Sequence, residues 1–193
     1  MMNKLILASS SVYRRALLDK LQLPYECISP DIDEAAHPGE SAENLVRRLA
    51  LDKARAVAKT TPNALIIGSD QVAVLDGDII GKPLTHDRAF AQLRRASGRS
   101  VRFITGLCLL NSNSQHSQID AIDFYVHFRR LSEQQIEHYL QREQPYHCAG
   151  SFKAEGLGIA LFERLEGDDP NSLIGLPLIR LVRMLENAGV QVL

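Results

Sequence analysis

No uninterrupted apolar run approaches the roughly 18 residues that a membrane span requires, which sets aside a helical membrane protein. Cysteine is scarce: Cys27, Cys108 and Cys148 are odd in number and far apart. They have neither the spacing of a zinc site nor the makings of a disulfide framework, and reduced thiols in a cytoplasmic protein are the expectation. The opening Met1 to Ser9 is short, and Arg14 and Arg15 soon interrupt it, so no signal peptide is expected. An excess of one charge is also missing. Lys plus Arg is 22 against 23 for Asp plus Glu, a net charge of -1. Such a balance gives no general attraction to nucleic acid or to an anionic membrane, so any anion must be held by a local cluster. The six histidines form no H-x-H or H-x-x-x-H pair, which argues against a histidine metal site. Neither G-x-S-x-G nor G-x-x-x-x-G-K-[ST] occurs, which disfavours a nucleophile-elbow hydrolase and a Walker loop.

What is present is an ordinary globular balance in 193 residues, 45% apolar and 23% charged, read as a single domain over 1–193. Residues 4–8 read as a buried strand, and leucines at 17, 18 and 21 give a helix over about 12–22. A short strand at 25–28 leads into an irregular acidic stretch. Ser41 caps a helix to about Lys59, and a strand follows over Ala64–Gly68. Asp76-Gly77 between two apolar runs marks a hairpin over 72–80. Thr85 caps a helix to about Ala96. Strands at about 100–110 and 118–129 precede a helix with a Ser132/Gln135 capping box. Gly158–Leu165 reads as a strand, and a last helix over about 171–187 is kinked or broken at Pro177. This order predicts an α/β chain, a mixed twisted sheet flanked by helices. Ligands in such folds sit beyond strand ends, where Ser9 to Arg15, Asp70-Gln71 and residues 151–156 are expected.

Each polar cluster has two readings. Ser9-Ser10-Ser11-Val12-Tyr13-Arg14-Arg15 offers hydroxyls, paired guanidinium groups and a helix start, all suited to phosphate; otherwise it is a capped helix with a solvated basic turn. Asp70, just past an apolar strand, is a partly desolvated base or metal ligand, or else a turn residue. Gly81-Lys82-Pro83 combines backbone access, a point charge and a stiff loop, a weak signal alone. Lys53 lies on a helix, where a lysine is ordinarily solvated. Asp31-Ile32-Asp33-Glu34 offers hard oxygen donors for a cation, or is simply solvated. In Ser151-Phe152-Lys153-Ala154-Glu155-Gly156, Lys153 and Glu155 alternate and so face one ligand, or the segment is a glycine-rich turn.

Taken in order, these pieces resemble the Maf family of nucleoside triphosphate pyrophosphatases. The matching segments are Leu7 to Arg15, Asp33-Glu34, Lys53-Ala54, Gly68-Ser69-Asp70-Gln71, Gly81-Lys82-Pro83 and the 149–158 loop. One position departs: Val12 stands where the family usually has proline, which loosens the first helical turn and removes no functional group. The resemblance implies a Maf/inosine triphosphatase-like fold with a cleft between two lobes. It also implies cleavage of a nucleoside triphosphate between its α and β phosphates. It makes Asp70 the base that takes the proton of water, and Ser9, Arg14, Arg15, Lys53 and Lys82 the phosphate-binding groups. Glu34 and Asp70 become the carboxylates for a divalent cation (Mg, Mn or Co). Tyr13, Gln71 and Glu155 fall on the family's base-selecting places, and the Ser-Asp-Gln and Ser-Phe-Lys-x-Glu-Gly forms resemble the branch that hydrolyses 7-methyl-GTP. The chemistry suits that base. Methylation at N7 makes the purine cationic, which favours an aromatic face such as Tyr13 and a carboxylate such as Glu155. Two other readings stay open: dTTP, UTP or another modified nucleotide as substrate, and a nucleotide-binding regulator of septum formation. The resemblance allows a homodimer; neither a membrane nor nucleic acid is expected as a partner.

Overall fold

A computed structural model describes residues 4–193, so Met1 to Asn3 of the opening segment lie outside the described residues. A seven-stranded mixed sheet runs in the order β2-β1-β3-β5-β6-β7, with β4 paired to β3. The strands are β1 (Lys4–Leu7), β2 (Glu26–Cys27), β3 (Ala64–Leu75), β4 (Asp78–Ile80), β5 (Ser100–Asn111), β6 (Ser117–Phe128) and β7 (Phe162–Glu166). The helices are α1 (Val12–Leu18), α2 (Ala42–Ala58), α3 (His86–Ala96), α4 (Glu133–Glu143), α5 (Pro170–Ile174) and α6 (Leu178–Asn187). None of the described helices is long and apolar enough to cross a membrane. The chain forms two compact units. The first holds residues up to 71 with 105–122 and 169–193; the second holds 72–104 and 123–168.

In the first unit β1 pairs in parallel with β2 and with β3, in register Leu5 to Leu65 and Leu7 to Ile67. Both faces of these strands are covered, so they read as continuous apolar runs. The period-2 alternation sorts them. Leu5, Leu7, Leu65, Ile67, Leu107 and Leu109 pack with Leu17 and Leu18 of α1 and with Leu181, Met184 and Leu185 of α6. Ile6, Ile66, Cys108 and Leu110 pack with Ala50, Ala54 and Val57 of α2. Burying one such leucine contributes about 2 kcal/mol. Helix α2 lies unusually close to the sheet because two glycines make room. A Cβ on Gly68 would fall 2.0 Å from the Ala50 carbonyl oxygen, and one on Gly106 would fall 2.1 Å from that of Val46.

The second unit begins with the β3–β4 hairpin. Its turn residues Asp76 and Gly77 both have positive φ, 53° and 87°, as a type I′ turn demands. Arg95 on α3 fixes this turn, with Nη2 2.6 Å from Asp78 Oδ2. Strands β6 and β7 are antiparallel, with an irregularity at His127 and Phe128. Phe103, Phe128, Phe152 and Phe162 stack edge to face beside them.

Three expectations need correction. Helix α1 stops at Leu18 and continues only as a 3-10 turn to Leu21. The strand expected over 158–165 starts at Phe162, because residues 157–161 form a 3-10 turn. The break expected at Pro177 is present: α5 and α6 are separated at Gly175, which has φ 116°, and Pro177. Finally, β3 does not end at Gly68. It runs unbroken through Ser69, Asp70 and Gln71 to Leu75, so Asp70 and Gln71 are mid-strand residues rather than turn residues. The strand carries these polar side chains because each has partners inside the fold, as described next.

Candidate functional site

The tight seat of α2 sets the geometry of the first unit's polar groups. Asp70 follows Gly68 by two residues and so shares its face of β3, while Lys53 follows Ala50 by one helical turn. Pressed against the strand in this way, α2 brings Lys53 Nζ to 2.6 Å from Asp70 Oδ1. Glu34 Oε1, from the acidic stretch before α2, lies 2.7 Å from the same nitrogen. Lys53 is only 6% exposed and Asp70 only 8%. The lysine read as solvated is therefore a buried, doubly paired cation. Helical spacing was the available signal, since Lys53 sits among Leu49, Ala50, Ala54 and Val57 on the buried stripe of α2. The second oxygen of Asp70, Oδ2, has no hydrogen-bond partner among the described residues and is left for a ligand or water.

Arg14 belongs to the same electrostatic group. Burial pulls the pKa of its guanidinium below the ordinary value, and the carboxylates of Asp70 and Glu34 oppose that pull. Two cations and two carboxylates thus share one small region. Arg14 is oriented by a feature that sequence reasoning missed. Its Nε donates to the carbonyl oxygen of Gly175 at 2.8 Å. The buried Ser69 hydroxyl lies 2.9 Å from that same oxygen and 2.8 Å from the Gly106 oxygen. The end of α5 offers further carbonyl acceptors, as any helix end does. Gln71 Nε2 donates to the oxygens of Ser172 at 2.8 Å and Leu173 at 3.1 Å, and to Thr105 Oγ1 at 2.9 Å. A Cβ on Gly175 would meet Arg14 Nε at 3.3 Å, and φ there is one that side chains rarely adopt. The only hint in the sequence was Gly175 two residues before Pro177, which reads as an ordinary helix break.

The remaining first-unit residues are plainly placed. Ser9 is buried at the end of β1, and its Oγ accepts from the Ser11 N–H at 3.1 Å. Ser11 in turn caps α1, accepting from the Arg14 N–H at 3.3 Å. Tyr13, 39% exposed, and Arg15, also exposed, lie on the solvent side of α1. Asp33 turns back to accept from the Ala35 N–H at 2.9 Å.

In the second unit, Lys82 is exposed in the loop after β4 and has no hydrogen-bond partner among the described residues. The 149–158 segment wraps around Glu143. Lys153 Nζ lies 2.9 Å from the Glu143 carbonyl oxygen, and the Leu157 N–H donates to Glu143 Oε2 at 2.8 Å. Gly156 and Gly158 allow this, since a Cβ would fall 2.9 Å from Glu143 Oε2 and 2.3 Å from the Lys153 oxygen, respectively. Lys153 is thus turned to Glu143, whose Oε1 lies 3.3 Å from Nζ. Glu155 is exposed and keeps its carboxylate open.

The donors suit a hard divalent cation: two carboxylates converge on one positive centre, now the Lys53 ammonium. Such ions take one or two carboxylates and complete their shell with phosphate oxygens and water. No group of three or more His, Cys, Asp or Glu that could hold a metal ion is found among the described residues.

A profile of the Maf-like protein family matches residues 4–188. The chain is 62% identical over 191 residues to a 7-methyl-GTP pyrophosphatase of Pseudomonas savastanoi pv. phaseolicola, covering 99% of this chain and 100% of that protein. A 7-methyl-GTP pyrophosphatase of Pseudomonas aeruginosa is 61% identical over 191 residues, with the same coverage. One of Nitrosococcus oceani is 61% identical over 189 residues, covering 98% of this chain and 95% of its own length. With the profile running from β1 to the end of α6 and relatives this similar along their whole length, the chain belongs to the Maf family.

Proposed function

We propose that this chain is a pyrophosphatase that cleaves 7-methyl-GTP between its α and β phosphates, releasing 7-methyl-GMP and pyrophosphate. Its full-length relatives bear the name of that activity. The single observation that carries the chemistry is Asp70, buried in mid-strand, held through Oδ1 by Lys53 and with Oδ2 open. A carboxylate fixed on a rigid strand is suited to take a proton from an attacking water, a contribution of about 100- to 10,000-fold in rate. Water must approach a polyanion, so cationic groups are needed to screen the phosphates and steady the leaving pyrophosphate. Arg14, Arg15, Lys53 and Lys82 supply that charge, and the Ser9 hydroxyl supplies a further donor. Arg14, with Nε tied to Gly175, keeps its terminal nitrogens for phosphate oxygens. A divalent cation held by Glu34 and Asp70 would polarise phosphate oxygens and acidify bound water. Tyr13, Gln71 and Glu155 select the base: an aromatic face for a cationic ring, an amide, and a carboxylate for its N–H edge. The free cysteines suit the reducing cytoplasm, where nucleotide pools lie.

The test is a panel of nucleoside triphosphates including 7-methyl-GTP, incubated with the protein with and without manganese and resolved by anion exchange. Monophosphate plus pyrophosphate, fastest from 7-methyl-GTP and dependent on metal, is the expected result. Fastest turnover of UTP or dTTP would overturn the base assignment. Diphosphate plus phosphate, or no turnover, would overturn the reaction itself.

A further inference from the structure

Gln71 has an amide whose two ends differ chemically, and the fold decides which end is free. The nitrogen end lies against Thr105 Oγ1 and the carbonyl oxygens of Ser172 and Leu173. A backbone carbonyl can only accept. Thr105, fully buried, has one hydroxyl hydrogen and donates it to the Ser172 oxygen at 2.9 Å. Toward Gln71 it can therefore only accept. All three neighbours demand a donor. A flipped amide would set an oxygen against three acceptors, so the hydrogen-bond network fixes the orientation.

The acceptors themselves are held firmly. Helix α5 is capped by Asp169, which is 3% exposed; its Oδ1 accepts from the Asn171 N–H at 2.9 Å and its Oδ2 from the Ile179 N–H at 2.8 Å. One carboxylate thus ties α5 to the start of α6. The Ser172 hydroxyl closes the turn on the Asp169 oxygen at 2.6 Å. Among the described residues the Gln71 side-chain oxygen has no partner.

We infer that Thr105 is a positioning residue that, with the two α5 carbonyls, makes Gln71 a hydrogen-bond acceptor only, so that the site selects a base edge carrying an N–H donor. This rests on the reading that Gln71 faces the base. A free glutamine offers both a donor and an acceptor and discriminates poorly between base edges. One locked by its nitrogen end rejects an acceptor at that place, because two acceptor atoms would face each other without a hydrogen. A purine made cationic by methylation has N–H groups that are stronger donors than those of the neutral ring, so it gains most from such an arrangement.

The test is a double-mutant cycle in the full chain, read as KM and kcat for whichever nucleoside triphosphate the wild type hydrolyses fastest. That choice keeps it separate from the substrate assignment, which the wild-type panel decides alone. Thr105→Val keeps the shape and removes the hydroxyl. It is expected to raise KM about tenfold with kcat within about twofold, the loss of one oriented hydrogen bond. Thr105→Ser is expected to restore KM. In a Gln71→Ala background, Thr105→Val is expected to change KM no further, since its effect passes through the amide. Equal effects of Thr105→Val with and without Gln71 would overturn the inference, as would an unchanged KM in the single variant. Should the valine variant fail to fold, Gln71→Glu provides the check. At neutral pH a carboxylate cannot donate to the three acceptors, so KM is expected to rise at least as far as in Gln71→Ala. Wild-type KM in Gln71→Glu would overturn the inference.

Discussion

Lys53 and Lys82 carry the same ammonium on the same stem, and the two units treat them oppositely. Lys53 is buried between two carboxylates, its position imposed by a helix pressed onto a strand. Lys82 stands exposed on a loop, between a glycine and the buried Pro83. The same contrast separates Gln71, whose amide nitrogen meets three acceptors, from Glu155, whose carboxylate meets none among the described residues. The first unit holds its polar groups in a fixed arrangement before any ligand arrives. In the second, Lys82 and Glu155 stand exposed. Charge in a fixed site costs no reorganisation at the moment of reaction, whereas an exposed long side chain loses rotamer freedom when it binds.

The largest effect is expected at the fixed end. Asp70→Asn keeps the shape of the side chain and removes the base; turnover should fall by about 100-fold or more while nucleotide binding persists. Binding by calorimetry alongside steady-state rates checks this, and retained turnover would remove Asp70 from the role. Next comes a paired comparison of the lysines. Lys53→Met takes the paired cation away from the buried Asp70 carboxylate and should lower stability by about 3 kcal/mol. Lys82→Met should leave the denaturation midpoint unchanged and raise only the KM for nucleotide. Equal midpoints for the two variants would erase the distinction between the units.

Smaller in effect is Glu155→Gln. It should reduce the preference for 7-methyl-GTP over GTP without changing the melting temperature, because its exposed carboxylate has no hydrogen-bond or ion-pair partner among the described residues. An unchanged preference would sink that assignment. The smallest effect concerns Glu40, whose carboxylate meets Arg48 Nε at 2.7 Å and Nη2 at 2.8 Å. Hydrogen bonds from Arg48, then one from the His37 N–H, hold its pKa at about 2 rather than the usual 4.5. A depressed carboxylate pKa stabilises the fold above the unfolded value and loses that contribution as pH falls. Stability should therefore decline between about pH 4.5 and about 2, and an Arg48→Ala variant should show less of that decline in acid melts.

Much of this fold was legible in the sequence because it rests on local rules. The caps Ser41, Thr85 and Ser132 start α2, α3 and α4, and Asp76-Gly77 makes the hairpin turn. The family's motifs named the candidate side chains. What stayed hidden depended on contacts between distant segments. Nothing local says that β3 continues through Ser69, Asp70 and Gln71, because their partners are Gly106, Lys53 and Thr105. The acceptors at the end of α5 are backbone oxygens, which every residue carries, so residue identity cannot advertise them. Lys53 was partly legible, since its spacing on α2 places it on the apolar stripe, but only the depth of that helix turns a lysine into a buried one.

That depth has its own consequence. Where α2 meets the sheet at Gly68 and Gly106, main chain rests on main chain, with no side chain between. The spacing of Lys53 from Asp70 is thereby referenced to peptide dimensions, which no substitution alters. Core leucines and valines elsewhere in the unit can be exchanged, and their errors in volume absorbed, without passing into that spacing. The two glycines serve as a datum surface from which the working parts are gauged, leaving the rest of the core free to drift.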